Sequence, residues 1–150
     1  MMPDMPSSDT TAELAGRLRL SVTRLARQLR QTADSNLTPT QGSVLATLNS
    51  SGPLALGELA ELERVAAPTI TKVIGILHDR GLVARISDPT DRRFVRVSLT
   101  AEGEALLEHT RARKTAWLAR QLGHLSPTEL DGLAAAIEVL ERLTTSSTPR

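Results

Sequence analysis

The sequence predicts a mainly α-helical protein with a small β wing. Three observations predict it. Apolar residues recur at steps of three and four along most of the chain, as on one face of a helix. Two stretches, 82–86 and 95–99, alternate with a period of two instead. The apolar residues are almost entirely Leu, Val, Ile and Ala, with one Phe, one Trp and no Tyr among 150 residues, and Leu and Ala lose little on entering a helix.

Residues 1–9 are expected to be a disordered tail, since Met, Pro, Ser and Asp recur there without periodicity. Leu14, Leu18, Val22, Leu25 and Leu29 then form a strip from about Thr10, ringed by Arg17, Arg24, Arg27 and Arg30, and the helix should fade at Asp34-Ser35-Asn36. Thr38-Pro39-Thr40-Gln41 can cap a second helix, with Thr38 and Gln41 as a reciprocal box and Pro39 in the first turn. Val44, Leu45 and Leu48 are its inward face, and Ser50-Ser51-Gly52-Pro53 ends it. Leu54-Ala55-Leu56 is long enough only for a stub of strand. A short helix follows from Gly57 to about Glu63, with Leu59, Ala60 and Leu62 facing inward. After a break at Arg64-Val65-Ala66, a helix from Ala67 to Arg80 carries Pro68 in its first turn, where a missing N–H does no harm. Its inward stripe is Ile70, Val73, Ile74 and Leu77, and Gly81 is its stop.

Leu82–Ile86 and Val95–Leu99 read as strands. The polar segment Ser87-Asp88-Pro89-Thr90-Asp91-Arg92-Arg93 joins them into a hairpin. A long helix opens at Thr100-Ala101-Glu102-Gly103 and reaches about Gly123. Ser126-Pro127-Thr128-Glu129 caps a last helix with Leu130, Leu133, Ile137, Leu140 and Leu143 on one side.

Composition excludes several function classes. The chain has no cysteine, which removes disulfide frameworks, Cys-ligated zinc, iron–sulfur clusters and thiol redox sensing. Apolar runs are too short for a membrane span, and the N-terminus lacks the basic start and apolar stretch of a signal peptide; a cytoplasmic protein is expected. Two aromatic residues cannot form a stacking platform for single-stranded nucleic acid. No Gly-rich phosphate loop, HExxH or nucleophile motif occurs. His78, His109 and His124 lack metal-ligand spacing. No catalytic, cofactor-binding or metal-ligating residue is expected, and the chain is not read as an enzyme.

The net charge of +1 hides an asymmetry. Residues 64–96 hold seven basic side chains (Arg64, Lys72, Arg80, Arg85, Arg92, Arg93, Arg96) against three acidic ones (Asp79, Asp88, Asp91). A local cationic excess suits a polyanionic partner.

The same segment orders as short helix, tight break, second helix and hairpin, which is a winged helix-turn-helix. A major groove about 12 Å wide accepts one helix, and bulk at its leading end would block close approach. Here that end is Ala66, Ala67, Pro68, Thr69 and Thr71, all small. Thr hydroxyls and methyls can meet base edges, and Lys72 can reach a guanine or a phosphate. At the hairpin tip Arg92 and Arg93 suit a narrow minor groove. Asp88 can accept backbone N–H bonds in an Asx turn, with Pro89 fixing φ just after it. Asp91 is close enough to hold the Arg93 guanidinium by a charge-assisted bond. As cations of this segment, Arg64 and Arg85 complete the expected DNA-binding set of Arg64, Ala67, Pro68, Thr69, Thr71, Lys72, Arg85, Asp91, Arg92 and Arg93.

The run LGELAELERVAAPTITKVIGILHDRGLVARISDPTDRRFVRVSLTAEGEALL resembles the MarR family of bacterial transcriptional regulators. Its most specific piece is DRGLVARISDPTDRRFVRVSLTAEG: helix end, wing and start of the long helix. The resemblance covers about residues 12–143 in element order. It implies an obligate homodimer of winged helix-turn-helix lobes, and repression relieved by a small, often aromatic or phenolic, molecule. It implies a reading helix over 67–80 in the major groove, with Ala67, Pro68, Thr69, Thr71 and Lys72 toward DNA. It also implies a wing over 87–94 in the minor groove, with Arg93 braced by Asp91 and Arg92 beside it. Ala66-Ala67-Pro68 stands where the family often has Ser or Arg-bearing residues, so fewer direct base donors are available. The cysteines of peroxide-sensing members and the His-rich zinc-sensing pattern are absent.

The domain reading is then a tail over 1–9, a helical dimerisation region over 10–36 and 100–144, a DNA-binding lobe over 37–99, and a tail over 145–150. The lobe has its own core, so the outer strips are best explained by burial against a second chain. Two-fold pairing would set two reading helices on half-sites about 34–36 Å apart in a pseudo-palindromic duplex. An effector pocket is expected where the outer helices meet the lobe, near the first helix, Val44 and Leu48, and the start of the long helix. Arg17 or Arg24 could pair an acidic ligand there. The alternative is a winged-helix protein–protein interaction module without a DNA target, which the Arg92-Arg93 tip disfavours. A small enzyme using surface carboxylates has only their abundance in its favour.

Overall fold

Capping chemistry sets where several of the helices begin. The structure, a computed structural model, describes residues 8–145. The expected tails over 1–7 and 146–150 lie outside the described residues, whereas Ser8 already starts α1 and Thr145 ends α6. α1 spans Ser8–Ala33 and α2 Pro39–Ser51. At the head of α2 the Thr38 hydroxyl accepts from the Gln41 N–H at 3.2 Å, and the Gln41 side chain accepts from the Thr38 N–H at 3.0 Å. β1 is Leu54–Ala55, α3 Leu56–Glu63 and α4 Ala67–Asp79. β2 is Val83–Ser87, β3 Val95–Leu99, α5 Ala101–Leu122 and α6 Pro127–Thr145. Ser126 and Glu129 form the second reciprocal box, at the head of α6.

The stub at 54–55 is a true strand with a structural role. It pairs antiparallel with β3 (Leu54 opposite Val97, Ala55 opposite Arg96), and β2 pairs on the other side (Val83 opposite Leu99, Ser87 opposite Val95). The sheet order is therefore β1-β3-β2. The wing is a three-stranded sheet anchored at its base, not a free hairpin.

The chain divides into two compact units, with the boundary between Lys114 and Thr115 in α5. In the first, Val44, Leu45 and Leu48 of α2, Leu59 and Ala60 of α3, and Ile70, Val73, Ile74 and Leu77 of α4 form one buried cluster. Leu82, Val83 of β2, Val97 of β3 and Leu107 of α5 complete it. Leu62, expected to face inward, is 57% exposed. The inward stripe of α3 runs through positions 56, 59, 60 and 63, the i, i+3, i+4, i+7 set. Its last place is taken by Glu63, whose carboxylate accepts from the Thr47 hydroxyl at 2.6 Å.

The apolar strip of α1 is largely open in this single chain: Leu14, Val22 and Leu25 are exposed. In the second unit α6 has no buried residue, and Leu130, Leu133, Ile137 and Leu143 are exposed. Among the described residues no helix is long and apolar enough to cross a membrane.

Candidate nucleic-acid interface

The seven cations over 64–96 separate into two groups. Arg80 and Arg96 serve the fold. Arg80 donates to the Asn36 and Ser35 carbonyls, both at 3.2 Å, and so ties the end of α4 to the turn before α2. Arg96 donates to Asp88 Oδ2 from Nε at 2.8 Å and to the Pro53 carbonyl from Nη1 at 3.2 Å, with Glu58 Oε2 at 3.9 Å. Arg64, Lys72, Arg85, Arg92 and Arg93 are exposed, and only Arg93 among these five has an ion-pair partner among the described residues.

α4 buries Ile70, Val73, Ile74 and Leu77, which turns Ala67, Pro68, Thr71 and Lys72 outward together, four positions on one helical side. All four, with Thr69, are exposed. No side chain caps the helix, because its N-cap is Ala66. The Thr71 hydroxyl donates back to the Ala67 carbonyl at 3.0 Å, so Thr71 can offer an acceptor lone pair and its methyl but not its proton. Gly75, one turn on, adds no side chain to this face. α3 ends in a tight turn at Arg64, which takes the left-handed conformation (φ 54°) and lets α4 leave at an angle to α3.

The wing tip is two nested Asp turns. Asp88 Oδ1 accepts from the Thr90 N–H at 2.8 Å and the Thr90 hydroxyl at 2.6 Å, the expected Asx turn. Asp91 Oδ1 accepts from Arg93 N–H at 3.1 Å and Nε at 3.0 Å, and Oδ2 accepts from Nη2 at 2.8 Å. The Thr90 hydroxyl, then the Arg96 guanidinium, then the Thr90 N–H hold the Asp88 carboxyl well below the usual carboxylate range. The Arg93 guanidinium and then its N–H hold the Asp91 carboxyl below its ordinary value. Arg93 in turn has a raised pKa.

The structure places Ala67, Pro68, Thr69, Thr71 and Lys72 together on α4 and Asp91, Arg92 and Arg93 together at the wing tip, with Arg85 apart on β2 and Arg64 at the α3–α4 turn. Sequence reasoning missed the work of Arg96, counting it only as a cation. The hairpin register places Arg96 opposite Ile86, near Asp88, and that much was legible from the period-two pattern. Its contact to Pro53 depends on the β1 pairing and was not.

The same unit holds a cavity of about 410 Å³ between α1, α2 and α5. It lies between the helices where a pocket was expected, but neither Val44 and Leu48, which are buried in the core, nor Arg17 and Arg24 line it; Arg30, Arg111 and Lys114 do. Among the described residues no group of His, Asp and Glu could hold a metal ion.

A profile of the MarR family matches residues 37–95, which takes in most of the lobe, including the wing tip. An uncharacterised HTH-type transcriptional regulator of Mycobacterium bovis is 39% identical over 140 residues, covering 93% of this chain and 98% of its own. The HTH-type transcriptional repressor MdtR of Bacillus subtilis is 36% identical over 94 residues, 63% of this chain and 61% of its own. The solved structure of a MarR family protein from Bacillus stearothermophilus superimposes with a TM-score of 0.79 at 28% identity, over 94% of this chain and 99% of the other. With its helix pair, exposed reading face and arginine-tipped wing, the chain belongs to the MarR family of DNA-binding transcriptional regulators.

Proposed function

We propose that this chain acts in the cytoplasm as a homodimeric repressor of transcription, bound to a pseudo-palindromic duplex and released by a small-molecule effector. α4 enters the major groove with Ala67, Pro68, Thr69, Thr71 and Lys72 toward the DNA, and the wing over 87–94 lays Arg92 and Arg93 along the minor groove. Arg64 and Arg85 add phosphate contacts. One observation carries the reading: Arg93 is gripped by Asp91 at 2.8 Å while its side chain stays 86% exposed. An arginine fixed in direction but free in solvent has already lost the entropy that entering a groove would cost.

The dimer is supported by the open apolar strips of α1 and α6, with 10–36 and 100–144 as the pairing region. One lobe makes few contacts, and two-fold symmetry doubles them on matching half-sites. Repression is supported by the name of the MdtR relative. Effector release is supported by the cavity, since a ligand there would bear on α2, which packs on α3 and α4, and a ligand shifts an equilibrium by its difference in affinity between two arrangements.

Selection of bound duplexes from a random pool tests the whole reading. The expected result is an inverted repeat with half-site centres one helical turn, or a multiple of it, apart. Enrichment of a single unrepeated half-site would refute the dimer, and no enrichment would refute sequence-specific binding.

A further inference from the structure

The cavity between α1, α2 and α5 is lined by two chemically different sets of side chains besides Ser35, Thr38 and Ser43. One is aliphatic: Leu29, Ala33, Leu37 and Leu107 line it. The other is cationic: Arg30, Arg111 and Lys114 line it, and no acidic and no aromatic side chain does. None of the three cations has an ion-pair partner among the described residues.

Thr110 lines the cavity as well. Leu107, Thr110, Arg111 and Lys114 follow at i, i+3, i+4 and i+7, so α5 presents an apolar group, a hydroxyl and two cations in order along one face. Thr110 is 5% exposed, and its Oγ1 has no hydrogen-bond partner. A threonine within a helix ordinarily settles its hydroxyl on the carbonyl four residues back. Thr23, Thr32 and Thr71 do so in this chain; Thr110 does not. A buried hydroxyl without a partner is costly, and an acceptor oxygen entering the cavity would satisfy it.

We infer that the effector is an aliphatic monocarboxylate. Its carboxylate accepts from the Thr110 hydroxyl and pairs with Arg111 and Lys114, and its hydrocarbon tail lies against Leu29, Ala33, Leu37 and Leu107. The inference rests on the effector reading above and departs from the aromatic or phenolic molecule that the family resemblance implies. An aromatic ring gains most from stacked or edge-on ring partners, and the lining among the described residues supplies none. The cavity's size is in the range of small-molecule sites, about 300–1,000 Å³.

Calorimetric titration of the full-length protein with octanoate, octanol and salicylate tests it. Octanoate should bind about tenfold or more tightly than either of the others, as a charge-assisted contact and a fitted tail require. From hexanoate onward each added methylene should tighten binding about fourfold. Thr110→Val should weaken octanoate about tenfold without lowering the melting temperature of the free protein, because an isosteric methyl removes the unpaired hydroxyl. Arg111→Gln should weaken it likewise. Salicylate binding as tightly as octanoate, and sensitive to Thr110→Val, would overturn the aliphatic class while leaving the effector reading intact. Octanoate binding indifferent to both substitutions would overturn the site. No heat and no melting shift with any probe would overturn the inference and remove the cavity's support for effector release.

Discussion

Asp91 holds Arg93 through its backbone N–H, its Nε and its Nη2 without burying it. The guanidinium contributes nothing to the core, so its removal separates binding from folding. Arg93→Ala should lower affinity for duplex DNA about tenfold or more, the 1–3 kcal/mol of a lost arginine contact, with the melting temperature unchanged. Asp91→Asn should cost less, since the arginine remains but is no longer aimed. Anisotropy titrations at one fixed salt concentration check both, and equal affinities for wild type and Arg93→Ala would remove the wing from the interface.

Lys72 is exposed on the same side of α4 as Ala67, Pro68 and Thr71 and has no ion-pair partner among the described residues. If it meets a phosphate, Lys72→Ala should weaken binding across all duplexes and reduce the salt-dependence slope by about one. A change confined to one operator position, with an unaltered slope, would place Lys72 on a base instead.

The helical elements were legible from apolar periodicity, sharpened at α2 and α6 by capping residues. Thr38 with Gln41 and Ser126 with Glu129 mark helix starts by chemistry that acts within four residues. The brace of Arg93 by Asp91 was legible for the same reason, being local. What was not legible is long-range. Leu54-Ala55 was legible as no more than a stub of strand, and its pairing with β3 was not legible at all. The partners of Arg80 lie 44 and 45 residues away in sequence. Leu62 was misplaced because a hydrophobic residue was assumed to face inward, whereas Glu63 occupies the inward place with Thr47 as its partner.

Asp88 joins Thr90 on one oxygen and Arg96 on the other, so its charged form is favoured in the folded chain. Its folded pKa lies below its unfolded value, near 3.9. Its contribution is therefore complete above that value and disappears only as pH falls through the folded one. The melting-temperature gap between wild type and Asp88→Asn should stay constant from pH 8 to pH 5 and narrow only below about pH 4. A gap that closes between pH 7 and pH 5 would show that another group controls the wing.

Gly75 has nothing within 4 Å of where a Cβ would stand, and its φ is not in the left-handed region. Within the chain, then, neither sterics nor conformation requires glycine in the middle of α4, where it costs about 0.5–1 kcal/mol relative to Ala. On the proposed docking of α4, the open space is where DNA would approach. Gly75→Ala should raise stability by about 0.5–1 kcal/mol and lower DNA affinity. A variant that is more stable and binds equally well would show that Gly75 faces away from the duplex.

Gly103 is the opposite case, although it too lies within a helix. A Cβ there would overlap the Leu82 carbonyl oxygen and stand 2.8 Å from Leu99 Cδ1. The first obstacle is backbone and cannot swing away. It lies beside the point where Thr100 links the α5 start to the α4 end, donating to the Gly81 carbonyl at 2.7 Å and accepting from the Gly103 N–H at 3.0 Å. Helix propensity alone favours Ala here, by up to about 1 kcal/mol; overpacking opposes it by about 1–3 kcal/mol, and relief would require α5 to move off the Leu82 carbonyl. Gly103→Ala should therefore destabilise the protein in a urea titration while Gly75→Ala stabilises it, two identical substitutions of opposite sign. If both stabilise, the close approach of α5 to Leu82 is wrong.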